Sequence, residues 1–199
     1  YAKGARTAGV RIVENLPVTQ IIVENGKAVG VMTEQGRIDA RTVVICGGMW
    51  SRDLAAEAGV TIPLHAAEHF YVVTEAIPDL PRNLPVMFLG DEWSYYKEDA
   101  GKLLVGFFEP VAKPWGQKGI SKDFCFDSLP EDIDHIAPHL TAATERVPVL
   151  AKTGMQLFFN GPESFTADGR YLIGETPEVA GLFCATGFNS LGILSSGGV

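Results

Sequence analysis

The chain is predicted to be an α/β protein of mixed α+β character: part of a doubly wound domain into which a second, antiparallel or mixed sheet is inserted. Two observations predict the doubly wound part. Thr42-Val-Val-Ile-Cys46 and Leu182-Phe-Cys-Ala185 are apolar runs that break at glycine, each followed by a helical signature, as expected of buried parallel strands. A third predicts the insertion, because residues 64–154 between them hold long strand candidates divided by Pro- and Gly-rich turns.

Taken in order, residues 1–9 read as the last turns of a helix stopped at Gly9. Strand patterns follow over residues 11–14, 18–23, 28–34 and 37–40, with turns at Asn25-Gly26 and Gln35-Gly36. Asn-Gly between alternating runs is the strongest short hairpin signal, since both turn residues need positive φ. After the strand at residues 42–46 comes a helix over 51–58, closed by Gly59. In the inserted region strands are expected over 67–75, 86–89, 93–97 and 102–109, a polar loop over 110–122, and one amphipathic helix over about 130–144 opened by Pro130, Glu131 and Asp132. No internal repeat or low-complexity stretch is visible.

The 199 residues, 46% hydrophobic, suffice for a substantial core in one domain or two small ones. A net charge of −8 and a pI near 5.0 argue against a nucleic-acid partner, which needs clustered Lys and Arg. No apolar stretch approaches the roughly 20 residues that cross a bilayer, so no membrane association is expected and the chain is expected to be soluble. Cys46, Cys125 and Cys184 form no Cys-x-x-Cys; Cys46 and Cys184 sit in apolar runs and are expected to be buried thiols in a reducing compartment, not metal ligands. The start at Tyr1 and the stop at Val199, just as a helix begins, suggest a piece of a longer protein.

Three groups could carry chemistry. The loop Gly187-Phe188-Asn189-Ser190-Leu191-Gly192-Ile193 and the turn Gly47-Gly48-Met49-Trp50 offer small residues that let backbone amides approach a ligand. Equally, the first is an ordinary helix entry with Asn189 or Ser190 as cap, and Trp50 a packing residue. His65, Glu68, His69 and Tyr71, with Tyr95 and Tyr96 on another strand, form the second group; alternation puts His69 and Tyr71 on one face, Glu68 and Phe70 on the other. His69 is a core residue or, paired with Tyr96 across a pocket, the polar wall for an amine. Glu163, within 160–169, is a carboxylate facing a cation or a loop residue bonding nearby amides. No Gly-x-Gly-x-x-Gly, Gly-x-Ser-x-Gly, phosphate-loop lysine motif or His-Glu-x-x-His occurs, which leaves phosphoryl transfer, serine hydrolysis and zinc proteolysis without support.

Several motifs in order carry a resemblance: Pro17-Val18-Thr19, Val43-Val-Ile-Cys-Gly-Gly-Met-Trp50, Pro63-Leu-His-Ala-Ala-Glu-His69-Phe-Tyr71, Tyr95-Tyr96, Gly106-Phe-Phe-Glu-Pro110, Gly161-Pro-Glu-Ser-Phe-Thr166, Gly174-Glu-Thr-Pro177 and Gly187-Phe-Asn-Ser190. Across its whole length the chain resembles the dimethylglycine and sarcosine dehydrogenase branch of the D-amino-acid-oxidase-like flavoproteins. The resemblance implies a partial FAD-binding domain in residues 1–62, a substrate-binding sheet domain in 63–159 and a return to the FAD-binding domain in 160–199. It implies cofactor contacts at Val18, Gly47, Gly48, Trp50 and the 187–193 loop, a substrate cavity lined by His69 and Tyr96 as catalytic groups, and Tyr71, Tyr95 and Glu163 beside the substrate.

The implied reaction is oxidation of a secondary or tertiary amine such as sarcosine or dimethylglycine, with demethylation to formaldehyde, or transfer to tetrahydrofolate if a folate domain follows. An electron-transfer flavoprotein is a candidate partner, and the implied compartment is the cytoplasm, or the mitochondrial matrix in a eukaryote. The dinucleotide fingerprint and the histidine that tethers FAD in some relatives are expected upstream of Tyr1, and a final helix beyond Gly197-Gly198, so FAD binding and activity are expected of the longer protein. Two rivals stand: a catalytically silent regulatory subunit like that of pyruvate dehydrogenase phosphatase, and a D-amino-acid or glycine oxidase. The last would need an arginine where this chain has Glu163.

Overall fold

The computed structural model describes residues 1–121 and 123–199 and divides the chain into two units. Unit 1 takes Tyr1–Leu64 and Thr166–Phe188; unit 2 takes His65–Phe165 and Asn189–Val199. The expected 110–122 loop thus ends at a residue, Lys122, outside the described residues.

Unit 1 opens with helix α1 (Ala2–Thr7). Residues 10–17 then run without strand structure, although residues 11–14 have a strand pattern. Their apolar side chains, Ile12 and Val13 among them, are exposed, so no burial rewards pairing there. Strands β1 (Val18–Glu24), β2 (Lys27–Thr33) and β3 (Gly36–Asp39) form the expected antiparallel meander. Asn25 at φ 51° and Gly26 at φ 74° make the hairpin turn that the sequence asks for.

The chain continues into β4 (Val43–Ile45), a single 3-10 turn (Gly48–Trp50) and helix α2 (Ser51–Glu57). Ile21 of β1, Ala28 of β2, Ile45 of β4 and Ala55 of α2 meet in one core with Val60, Ile62, Val179 and Leu182.

Unit 2 is built on a six-stranded sheet. Its strands are β5 (Leu64–Thr74), β6 (Met87–Leu89), β7 (Ser94–Asp99), β8 (Lys102–Phe107), the two-residue β9 (Pro114–Trp115) and, after helix α3 (Ile133–Arg146), β10 (Met155–Thr166). Their order is β10-β5-β8-β7-β6, with β9 also on β5. Helix α3 lies on one face, where Ile136 and Ala143 bury against Phe70, Val72, Tyr96, Leu103, Val105 and Phe107.

Two boundaries in unit 2 differ from expectation. Helix α3 starts at Ile133, not Pro130, because the Asp132 carboxylate accepts the His135 amide at 3.1 Å and so sets the cap. Residues 160–166 belong to strand β10, so of the two alternatives for Glu163 the loop residue is not met. Gly161-Pro162 reads as a breaker, yet β10 is the outer strand of its sheet, where a proline without an N–H is tolerated.

Back in unit 1, β11 (Leu172–Glu175) and β12 (Leu182–Thr186) join β4 in a sheet of order β11-β12-β4. β12 runs parallel to β4, Cys184 beside Ile45, as the paired apolar runs predict. The expected burial is only half met: Val44 is 55% exposed and Cys46 is exposed, with Cys184 intermediate. The core packs on one face of this sheet, and strand alternation turns Val44 to the other. A short helix, α4 (Gly192–Ser195), ends the chain in unit 2. No helix among the described residues is long and apolar enough to cross a membrane.

Candidate functional site

Strand alternation decides which side chains of unit 2 can act together. On β5, Phe70 and Val72 go under α3, so His69 and Tyr71 take the opposite face. On β7 the same rule buries Tyr96, 4% exposed, beneath α3, its hydroxyl 3.3 Å from Ser94 Oγ. The expected pairing of His69 with Tyr96 therefore does not form. Tyr95 is the phenol on His69's face: both rings pack on Phe108, at centroid distances of 5.5 and 5.0 Å.

Gly106 of β8 makes room for this arrangement. It pairs with Tyr71 on one side and Tyr95 on the other. A Cβ there would fall 1.9 Å from the Tyr95 ring carbon Cζ, so only glycine lets the phenol lie across the strand. Tyr71 stacks on Phe159 of β10 at 4.7 Å, and Phe165 stands edge-on to His69 at 6.1 Å. Glu163 is on the same strand, its Oε2 4.0 Å from His69 Nε2, and it accepts a hydrogen bond from Ser190 Oγ.

These surroundings set the protonation states. Burial lowers the His69 pKa below its ordinary value, with the Glu163 charge opposing. The imidazole is then neutral at pH 7 and available as a proton acceptor. Burial pushes the Tyr95 phenol up to about 12, aided by the charges of Glu163, Tyr71 and Glu109, so it stays a hydrogen-bond donor.

In unit 1 the candidate residues collect at the carboxyl ends of β4 and β12. Parallel pairing brings Gly47-Gly48 and Gly187 to adjacent strand ends, and Thr186 Oγ1 donates to the Gly48 carbonyl at 3.0 Å. Gly48 has φ 54° and Gly187 φ 70°, values that L side chains rarely adopt. Beside them Trp50 is 44% exposed and Phe188 stacks on Tyr171 at 5.3 Å. Neither Asn189 nor Ser190 caps α4; Leu191 holds that position, and Leu191 and Ile193 are exposed. Val18 is the first residue of β1, in the other sheet of unit 1, and is exposed.

Sequence reasoning missed Phe108, Phe165 and the spacing role of Gly106. The Gly106-Phe-Phe-Glu sequence holds the one usable signal: a glycine in an apolar strand marks close approach by a neighbour.

A family model described as "FAD dependent oxidoreductase", DAO, matches residues 1–199. The chain belongs to the DAO family of FAD-dependent oxidoreductases. It is 41% identical over 198 residues to 4-methylaminobutanoate oxidase (formaldehyde-forming) of Paenarthrobacter nicotinovorans, covering 100% of this chain and 24% of that protein. Identity to human mitochondrial sarcosine dehydrogenase is 39% over 202 residues, covering 99% and 22%. A mouse mitochondrial pyruvate dehydrogenase phosphatase regulatory subunit is 34% identical over 200 residues, covering 99% and 23%. Among solved structures, glycine oxidase from Geobacillus kaustophilus superposes with a TM-score of 0.73 at 26% identity, covering 98% of this chain and 48% of that one.

This DAO chain thus spans about a quarter of the length of the curated relatives it matches. Its residues fit part of a flavin site. Ligands of doubly wound sheets gather outside the carboxyl ends of parallel strands, and at Gly48 a Cβ would meet nothing within 4 Å, which leaves open ground beside the backbone.

Proposed function

We propose that the protein containing this chain oxidises an N-methylated secondary or tertiary amine, such as sarcosine or dimethylglycine, and releases the methyl carbon as formaldehyde. The observation that carries this reading is the match, along nearly all of this chain and about a quarter of each relative, to proteins named 4-methylaminobutanoate oxidase (formaldehyde-forming) and sarcosine dehydrogenase. In the net reaction a hydride equivalent leaves the N-methyl carbon, water adds to that carbon, and the C–N bond breaks to release formaldehyde and the demethylated amine, so that two electrons and two protons are given up in all. Bound FAD supplies the electron acceptor.

In this reading Gly47, Gly48, Trp50, Val18 and the 187–193 loop hold the cofactor, within an FAD-binding part formed by residues 1–62 and 160–199. Residues 63–159 form the substrate part. His69 orients the amine and, being neutral, takes its proton at Nε2, since a lone pair on nitrogen must be free for oxidation. Tyr95 replaces Tyr96 as the phenol at the substrate, donating from a hydroxyl that stays protonated. Tyr71 walls the same face, and Glu163 steadies His69. We further infer tetrahydrofolate as the methyl acceptor where a folate domain follows, an electron-transfer flavoprotein as oxidant, and a cytoplasmic or, in a eukaryote, mitochondrial matrix location.

Anaerobic mixing of the full-length protein with sarcosine, dimethylglycine or 4-methylaminobutanoate tests the reading. The flavin band is expected to bleach, and His69→Ala to slow bleaching by about 100-fold, a typical contribution of a positioned acid–base group, while FAD stays bound. A yellow protein that no amine bleaches rejects it and favours the regulatory-subunit reading, to which the 34% identity to the phosphatase regulatory subunit lends weight.

A further inference from the structure

The turn after β12 is held against its own backbone preference. Asn189 at φ 49° and Ser190 at φ 65° are consecutive non-glycine residues in the left-handed region, a conformation that persists only where surrounding contacts enforce it. One such contact is made by the Ser190 hydroxyl, which donates to Glu163 Oε2 of β10. That same oxygen stands 4.0 Å from His69 Nε2 of β5, close enough for its charge to act and too far for a hydrogen bond. Ser190, Glu163 and His69 all belong to unit 2.

Building on the amine-oxidation reading, we propose that Ser190 is a positioning residue for His69: its hydroxyl occupies the Glu163 oxygen and keeps the carboxylate from closing onto the imidazole. A carboxylate that loses one donor seeks another. From 4.0 Å, Glu163 needs to move only about 1 Å to reach the usual N–H···O distance at His69 Nε2. An imidazole bonded to a carboxylate through Nε2 carries its proton there and has no lone pair left at that nitrogen for the amine. With side chains 14% and 31% exposed, His69 and Glu163 are only partly screened by solvent.

The protonation of His69 reads the arrangement. Burial lowers its pKa and the Glu163 charge raises it. In contact that charge acts more strongly than at 4.0 Å, so a freed Glu163 raises the pKa further. The other ionisable groups around His69 are Glu68 and Tyr71 on its own strand, Tyr95 across Phe108, and Glu109 in the same cavity. Tyr95, at about 12, stays neutral, whereas Glu109, raised to about 7 by burial, changes charge in the same range. These groups are common to every variant below, so differences between variants isolate Ser190 and Glu163.

The experiment is a pH titration, followed by NMR, of full-length, FAD-loaded protein carrying isotope-labelled histidine, with His69→Asn identifying the His69 signal. Ser190→Ala and Ser190→Gly are each expected to raise the His69 midpoint by about one pH unit, the scale of an opposite charge brought into contact. Glycine relaxes the turn, so equal shifts in the two variants separate the lost hydroxyl from backbone strain. Glu163→Gln is expected to lower the midpoint, and Ser190→Ala added to it to cause no further shift, because the hydroxyl acts only through the carboxylate. Ser190 variants whose midpoint stays or falls, or a Ser190→Ala shift that persists beside Glu163→Gln, overturn the proposal. In stopped-flow reduction by sarcosine or dimethylglycine, the acid limb is expected to move with the midpoint. The expected midpoints in a protein whose flavin no N-methyl amine reduces keep this role for Ser190 and reject the oxidation reading; reduction with an unmoved midpoint does the reverse.

Discussion

The ring of Tyr95 lies over the backbone of Gly106, so close that a methyl group on that glycine would sit 1.9 Å from the phenol Cζ. Because Gly106 also pairs with Tyr71, one missing side chain fixes the spacing of both tyrosines on the His69 face.

Gly106→Ala is therefore expected to push the Tyr95 ring off the sheet. Overpacking of this kind costs about 1–3 kcal/mol, read as a lower denaturant midpoint, and amine-dependent flavin reduction falls with it. A variant with wild-type stability and kinetics would show that the ring has another resting place.

Tyr95→Phe and Tyr96→Phe separate the two faces of β7. Removing the Tyr95 hydroxyl is expected to slow flavin reduction by amine while leaving the unfolding midpoint nearly unchanged. Removing that of Tyr96 deletes a bond to Ser94 within the core, a stability loss of about 0.5–1.5 kcal/mol, with reduction kinetics preserved. The opposite pattern in stopped-flow and denaturation measurements would return the substrate role to Tyr96.

Thr186→Val removes the hydroxyl that ties β12 to the Gly48 carbonyl without changing side-chain shape. A net hydrogen bond of about 1 kcal/mol corresponds to roughly fivefold weaker FAD retention. Flavin fluorescence released on dilution of the full-length variant reads this directly, and unchanged retention would detach those strand ends from the cofactor.

Strands and turns with a strong local cause were legible in the sequence. Asn25-Gly26 fixes its hairpin through backbone conformation alone, and the apolar runs around Ile45 and Cys184 announce a parallel pair. What failed depended on neighbours. That Glu163 lies on a strand was not legible, because the Gly161-Pro162 pair before it fits a strand only where that strand is an outer one. Val44 and Cys46 look buried until the core is seen to occupy one face of their sheet. Likewise two adjacent tyrosines cannot be told apart in a sequence, since which of Tyr95 and Tyr96 meets His69 depends on where α3 packs. The burial of Glu109 was hidden for a related reason: a glutamate two residues past a strand is ordinarily solvated, and only tertiary packing withdraws it from water.

The hydroxyl link from Thr186 to Gly48 joins positions 138 apart in the chain. Closing so long a loop costs about 4 kcal/mol of chain entropy by the logarithmic rule, a penalty that shrinks once the intervening residues have compacted. Compaction of the intervening residues thus lowers the entropic cost of joining the glycine-lined ends of β4 and β12.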